Sequence, residues 1–322
     1  MKQCHQQKYP SWFITYTFFI SSILNHATMK NMSFPIHEVT AKEFPSLLRE
    51  IPQVPESLNY RGVLPPADMK LLAVVGSRKY STYGKQVVEH LISGLKGFNV
   101  GIVSGLALGI DSLSHEAALR HGIYTLAVPG SGIDDEVIYP ARHKGLAKQI
   151  LENNGGLLSE FEPTFKATKW SFTQRNRIMA GITHATLMIE ATEKSGTLIT
   201  ARMATDYNRE LLVVPGNIFS GNCAGTHQFL KLGATPITHA CDILYALGID
   251  PEKGPQKALP FVDLSSLSAP EQKILNALTE PTDTDTLIRL CGLPPHEANA
   301  LLMQMEMKGL IASDNNLYRV VH

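Results

Sequence analysis

The 322-residue chain has only four cysteines, Cys4, Cys223, Cys241 and Cys291, and no two form a C-x-x-C pair. That spacing argues against a zinc site or a disulfide framework and suits a reducing cytoplasm. Net charge is also missing: Lys plus Arg and Asp plus Glu each number 29. Any affinity for nucleic acid must therefore come from a local patch. The first glycine loop is not G-x-G-x-x-G and no G-x-x-x-x-G-K-[ST] occurs, so neither NAD chemistry nor ATP hydrolysis is indicated. H-E-x-x-H and G-x-S-x-G are likewise missing. The apolar run Trp12 to Leu24 is too short to span a bilayer comfortably. It follows Lys2 and Lys8 as a secretory signal would, but no small-x-small cleavage site comes after it. The expectation is a poorly defined leader over 1–43, with Met29 or Met32 as the true start and no membrane role.

What is present is a globular composition, 44% apolar and 18% charged, enough for one good-sized domain and a small one. Residues 44–66 are proline-rich and irregular, with a short helix expected at Ser46 to Glu50. Short continuous apolar runs follow at 71–77, 100–105, 124–130, 156–161, 185–191 and 210–216, with helical patterns between most of them. Continuous apolarity means strands covered on both faces, which predicts an α/β fold. The expected architecture is an extended Rossmann-like parallel sheet with helices on both faces, over 44–248. A short strand at 234–238 and a helix at Ala240 to Leu247 complete it. In such a sheet, ligands collect at the carboxyl ends of the strands. There the loops offer Gly76, Ser77 and Arg78, then Ser104 and Gly105, and later Ser195, Gly196 and Thr197, a rim of small residues and donors suited to phosphate. Turn geometry alone also favours Gly and Ser at such places.

The stretch Pro163 to Gly181 contains no acid, and in it Lys166, Lys169, Arg175 and Arg177 alternate with Phe165, Trp170 and Phe172. A flexible polar ramp turning into a helix near Arg175, carrying cations and flat rings, suits phosphates and unstacked bases. A solvated linker whose rings close over the core is the plainer alternative. Arg175 and Arg177 would begin a helix, an unfavourable end for cations, so pairing with Glu160 or Glu162 is the other role open to them. Asp111 and His115 share a helix face; Asp111 is expected to cap that helix, with His115 packed or hydrogen-bonded near it. Asp134, Asp135 and Glu136 read as the acidic first turn of a helix rather than a cation site.

Residues 249–264 form a linker by composition, and 265–322 read as a winged-helix domain. Three short helices (Pro270 to Leu278, Asp283 to Leu290, Pro295 to Met307) precede two strands, with Thr282 or Asp283 as an N-cap and Gly292 at the turn. Across this segment seven acids face four Lys and Arg, and the third helix sets Glu297 and Glu306 against Lys308 alone. A reader of duplex DNA needs the opposite balance, so duplex binding is expected to be weak or absent and the role protein contact or regulation.

Read in order, VVGSRKYSTYG, SGLALGID, LAVPGSGIDDEVIYPARHKGLA, LLSEFEP, FTQRNRIMAGI, EATEKSGTLITARMA, VVPGNIFS and GTHQFLKLGATPI resemble the DNA-processing protein A (DprA, or Smf) family over about Tyr60 to Leu247. The resemblance implies a Rossmann-like domain that binds single-stranded DNA without cleaving it, forms a homodimer, and loads the RecA recombinase during natural transformation or recombination, with no cofactor. Carried over by motif, the strand would meet Arg78, the Gly105 loop, Lys169, Phe172, Arg175 and Arg177, with Trp170 and Asn176 beside them. The contrasting reading is a nucleotide phosphoribohydrolase of the lonely-guy type, similar in its phosphate-cradling Gly196-Thr197. Thr200 stands where that signature has its glutamate, and a hydroxyl cannot stabilise an oxocarbenium-like state by charge.

Overall fold

The computed structural model describes residues 34–253, 268–278, 282–292, 294–307, 311–314 and 317–320. The apolar leader, most of the 249–264 stretch and Lys308 lie outside the described residues. The chain divides into two units, Met1–Pro255 and Gln256–His322.

The larger unit is built on a sheet of nine strands among the described residues: β1 (His37–Thr40), β2 (Ser57–Gly62), β3 (Lys70–Gly76), β4 (Val100–Ser104), β5 (Thr125–Ala127), β6 (Gly156–Ser159), β7 (Ala185–Ile189), β8 (Glu210–Val213) and β9 (Thr235–Pro236). Their spatial order is β1-β2-β6-β5-β4-β3-β7-β8-β9. From β3 the chain winds outward through β4, β5 and β6, then returns to place β7 on the other side of β3. The order therefore reverses between β3 and β7, and the crevice beyond their carboxyl ends is the switch point where doubly wound sheets take ligands.

β3 shows why these runs are strands. Its interior is buried throughout, and its side chains alternate between two cores. Leu72 and Val74 join the cluster beneath α2 (Thr82–Ser93), α3 (Ile110–Arg120) and α8 (Ala240–Ala246). Leu71 and Val75 join the opposite cluster with α1 (Ser46–Arg49) and α5 (Lys169–Ile182). A period of two, apolar in both phases, is what a strand sandwiched between helix layers requires. The remaining helices are α4 (Lys144–Glu152), α6 (Thr197–Asp206) and α7 (Ala224–Lys231).

The sheet is mixed rather than wholly parallel. β2 runs antiparallel to β6, pairing Tyr60 with Leu158, and β1 runs antiparallel to β2. Neither strand has an apolar run, because each sits toward an edge and is held by backbone pairing. Arg61 of β2 is buried, donating to Phe34 O at 3.0 Å, Ile133 O at 2.9 Å and Asp135 Oδ1 at 2.7 Å. Asp135 is thus a salt-bridge partner, and no helix begins at Asp134, whose side chain accepts from the Glu136 amide at 2.9 Å in a turn. Asp111 does not cap α3 either. Gly109 is the cap residue, and Asp111 instead accepts from the Gly105 amide at 3.1 Å. His115 is fully buried and 2.7 Å from the Thr125 hydroxyl.

The smaller unit packs α9 (Ala269–Ala277), α10 (Thr284–Cys291) and α11 (Pro295–Met307) with an antiparallel sheet ordered β10 (Thr282–Asp283), β12 (Leu317–Val320), β11 (Ile311–Asp314). Asp283 caps α10 by accepting from the Thr286 amide at 3.0 Å, and Gly292 ends it at φ 62°. Ile274, Leu287, Leu302, Met305 and Ile311 form its core. This is the winged-helix arrangement.

Candidate nucleic-acid interface

The loop after β3 turns on Ser77, whose hydroxyl accepts from the Lys79 amide at 3.1 Å and donates to Lys79 O at 2.9 Å. That turn leaves Arg78 and Lys79 exposed at the mouth of the crevice. On the other side, α5 begins earlier than its sequence suggests. Thr168 and Ser171 form a reciprocal capping box, so the helix starts at Lys169 instead of near Arg175. Ser171 then anchors this first turn by donating to Gly130 O at 2.6 Å. Lys169, Phe172, Thr173 and Asn176 consequently share one helical face, and all four line a cavity of about 800 Å³.

The cavity is cationic at its rim and aromatic on one wall. Arg78 lies over the Phe172 ring, 5.4 Å from its centroid, and Tyr139 packs on the same ring at 5.6 Å. Gly130 makes room for Phe172, since a Cβ there would meet the ring at 2.6 Å. The far wall is the turn into α6. Ser195 Oγ accepts from the Thr197 amide at 3.2 Å and donates to Thr197 Oγ1, which donates to Gly76 O at 3.0 Å. This hydroxyl relay ties α6 to the end of β3, so Thr197 holds the wall while Ser195 and Gly196 face the opening.

Beneath the Gly105 loop is a buried Asp111–Arg175 pair. Burial pushes the Asp111 carboxyl up, opposed by the Arg175 charge and the Gly105 and Ala107 amides. Burial likewise pulls Arg175 down to about 10, opposed by Asp111. Arg175 also donates to Val128 O. A Cβ on Gly105 would collide with both partners, so glycine lets the loop lie on the pair. His115, with a pKa lowered to about 3 by burial and then by the charges of His143 and Arg175, belongs to the same floor.

Of the residues expected at the site, Gly76, Ser77, Arg78, Lys169, Phe172, Arg175, Asn176, Ser195, Gly196 and Thr197 line this cavity. Ser104, Gly105, Trp170 and Arg177 do not. Ser104 is buried and donates to Val74 O at 2.7 Å, and Gly105 supports the loop from within. Arg177 is buried, bonded to Glu160 and to Gln53 O, so of the two roles open to it the structure shows the ion pair. Trp170 points elsewhere: it stacks edge-on against Phe161 and Phe165, at 5.6 and 5.8 Å, and remains exposed. Sequence reasoning missed Lys79, Tyr139, Thr173 and Asn222. Lys79 was legible beside Arg78, and Thr173 follows once the helix starts at Lys169. Asn222, which donates to Lys79 O at 3.1 Å, arrives from the loop before α7 and had no local signal.

Comparison with known proteins decides the family. The family model of DNA recombination-mediator protein A matches residues 36–248, and that of the DprA winged helix domain matches 261–315. The chain belongs to the DNA recombination-mediator protein A family. Within it, the chain is 34% identical to protein Smf of Escherichia coli (strain K12) over 84% of this chain and 73% of that one. It is 38% identical to DNA processing protein DprA of Streptococcus pneumoniae over 68% of this chain and 76% of that one. The solved structure of the Streptococcus pneumoniae protein superposes with a TM-score of 0.61 at 36% identity, over 74% of this chain and 82% of that one. DNA processing protein A from Helicobacter pylori, solved to describe its single-stranded DNA binding mode, gives 0.59 at 28% identity over 66% and 96%. The recombination-mediator fold thus accounts for the larger unit, and the winged helix is a DprA module. Among the described residues no helix is long and apolar enough to cross a membrane.

Proposed function

We propose that this family member binds single-stranded DNA across the β3–β7 crevice without cleaving it, and hands the strand to RecA. The carrying observation is the pairing of Arg78, Lys79 and Lys169 with the Phe172 ring around one cavity. Three cations meet phosphates, and a flat ring meets a base, which an intact duplex does not present. Arg175 serves as a buried counter-charge that holds the Gly105 loop, and Asn176 and the Ser195–Gly196 turn supply neutral donors. A binding role is favoured over hydrolysis because the carboxylate that lines the cavity, Asp111, is buried against Arg175, while Thr200 carries no charge. On this reading the protein is a cytoplasmic homodimer that needs no cofactor, with 44–248 as the DNA-binding domain and 265–322 as a regulatory or protein-contact domain.

Fluorescence anisotropy of a labelled oligothymidine over a salt series tests the DNA reading. With three phosphates neutralised, the slope of log affinity on log salt is expected near about −2. Unlabelled duplex should compete poorly. Equal competition by duplex, or a flat salt response in folded protein, overturns it. The RecA step is tested by whether the protein accelerates RecA filament growth on strands already coated with single-strand-binding protein.

A further inference from the structure

A second cavity, of about 430 Å³, shares no lining residue with the first. Its lining includes Ser81, Tyr83, Glu190, Pro215, Asn217 and Cys223. We propose that it receives a basic side chain, an arginine above all, from an apolar segment of a partner protein.

The key group is Glu190, at the end of β7. It is 3% exposed, and among the described residues no cation lies within ion-pair distance of it. Its carboxylate accepts from the Ser81 amide at 2.9 Å and from the Ser81 hydroxyl. Each oxygen keeps a further lone pair, and a buried carboxylate without a counter-charge favours a cation brought from outside. The chain is shaped around it. Glu190 holds a left-handed backbone, φ 51°, which non-glycine residues adopt only when their surroundings impose it. Gly84 is cut back to fit: a Cβ there would run into the carboxylate. The other polar groups add acceptors. Pro215 O takes the Tyr83 hydroxyl at 2.7 Å and Gly216 O takes His227 Nε2 at 3.0 Å, each with a second lone pair left. Burial, with the Glu190 charge, raises the Cys223 pKa against the Ser220 hydrogen bond, which keeps the thiol protonated at neutral pH. A guanidinium answers this set, because it donates in a fork that fits a carboxylate.

The surroundings select the source. Ile218 and Phe219, on the same Pro215–Ser220 loop, are 78% and 91% exposed, and Tyr83 at the rim is 45% exposed. Such apolar side chains beside a charged recess match an interface anchor, an arginine flanked by apolar residues. A nucleotide is disfavoured because its phosphate would face the Glu190 carboxylate, whereas the cations Arg78 and Lys169 lie on the other cavity. The inference is independent of DNA binding.

The test uses the full chain with labelled isoleucine methyl groups, the Ile218 methyl being the reporter. Titration with the peptide acetyl-Leu-Arg-Phe-amide should shift that methyl saturably. The citrulline analogue, neutral but of the same shape, should bind about tenfold more weakly or worse, as should the arginine peptide to Glu190→Gln. Phe219→Ser, altering an exposed side chain, should also weaken it while leaving oligothymidine affinity unchanged. No Ile218 shift up to roughly 10 mM peptide overturns the proposal. So does equal binding of the two peptides to the wild-type protein, a result independent of how the variants fold. A matching shift with deoxyguanosine monophosphate would make this a nucleotide pocket and equally overturn it.

Discussion

The first turn and the middle of α5 look alike in sequence and differ in surroundings. At its first turn Lys169 is exposed and Phe172 faces the cavity. Two turns on, Arg175 and Arg177 are 4% and 5% exposed and bonded to the protein itself. An acid-free, basic stretch therefore contains two populations of cation. One is free to meet phosphate; the other has exchanged water for Asp111, Glu160 and backbone carbonyls. The difference teaches that an acid-free window reports charge within the window only, while the acids that neutralise these arginines come from Asp111 and Glu160, outside it.

The strongest way to break this comparison is to remove an arginine from each population. Arg177→Ala leaves the largely buried Glu160 carboxylate without its partner, and loss of one member of a buried pair costs about 3–5 kcal/mol. For a unit of this size that lowers Tm by roughly 8–15 °C, which differential scanning calorimetry would register. Arg78→Ala should leave Tm within about 1–2 °C, since its side chain is exposed. If Arg177→Ala instead kept its Tm and lost DNA binding, the assignment of the two populations would be reversed.

DNA affinity should show the mirror image. Arg78→Ala removes a charge-assisted contact worth about 1.5–3 kcal/mol, a tenfold or greater loss, and should flatten the salt slope by about 0.7. Phe172→Ala removes stacking of about 1–3 kcal/mol but should leave the slope unchanged, because no phosphate contact is lost. Anisotropy at several salt concentrations separates the two. A slope change in Phe172→Ala would mean that the ring acts only by positioning Arg78.

The buried population also predicts a pH response. His115 is held neutral, its pKa falling from 6.5 to about 3 on folding. Between these values the unfolded chain binds the extra proton, so this contribution is fully present above pH 6.5 and is lost on acidification towards 3. Between pH 7 and 5 the loss is about 2 kcal/mol. In His115→Asn, urea unfolding at the two pH values should show a stability difference smaller by about that amount, whatever the variant's absolute stability. An undiminished difference would place the titrating group elsewhere.

How much of this was legible follows from the range of each signal. Continuous apolar runs announced every parallel strand but the exposed edge strand β9, because burial on both faces leaves no polar phase in residues such as Leu71 to Val75. β1 and β2 were silent, since their pairing is made by backbone and every sequence has that backbone. At the site, Arg78 and Lys169 were legible as cations beside loops suited to phosphate. The start of α5 was not: Ser171 is a weak helix former, and its reciprocal bond with Thr168 is a geometric fact. That one boundary decides which residues share the Phe172 face, and with it Thr173 was found and Trp170 moved to another face. Pairings across long separations, such as Arg175 with Asp111 or Asn222 with Lys79 O, have no local mark at all.

The smallest effect sharpens the comparison within the first turn itself. Trp170 and Phe172 are two residues apart, about 200° around a helix, so one strand of DNA cannot stack on both at the same base step. Phe172 sits with Arg78 over its face, whereas Trp170 closes an aromatic cluster with Phe161 and Phe165, whose own rings stack at 4.6 Å. Trp170→Ala should therefore cost less than about 1 kcal/mol in affinity for a short oligothymidine that fills only the cavity. Its fluorescence gives an independent reading, because a base stacked on the indole would quench it. With Trp12 in the N-terminal run as the only other tryptophan, a Trp12→Phe background isolates the signal. Little quenching on a short oligonucleotide and clear quenching on a longer one would trace the strand leaving the cavity around the start of α5. Full quenching on the short one would instead put the first base on Trp170 and demote Phe172 to a support for Arg78.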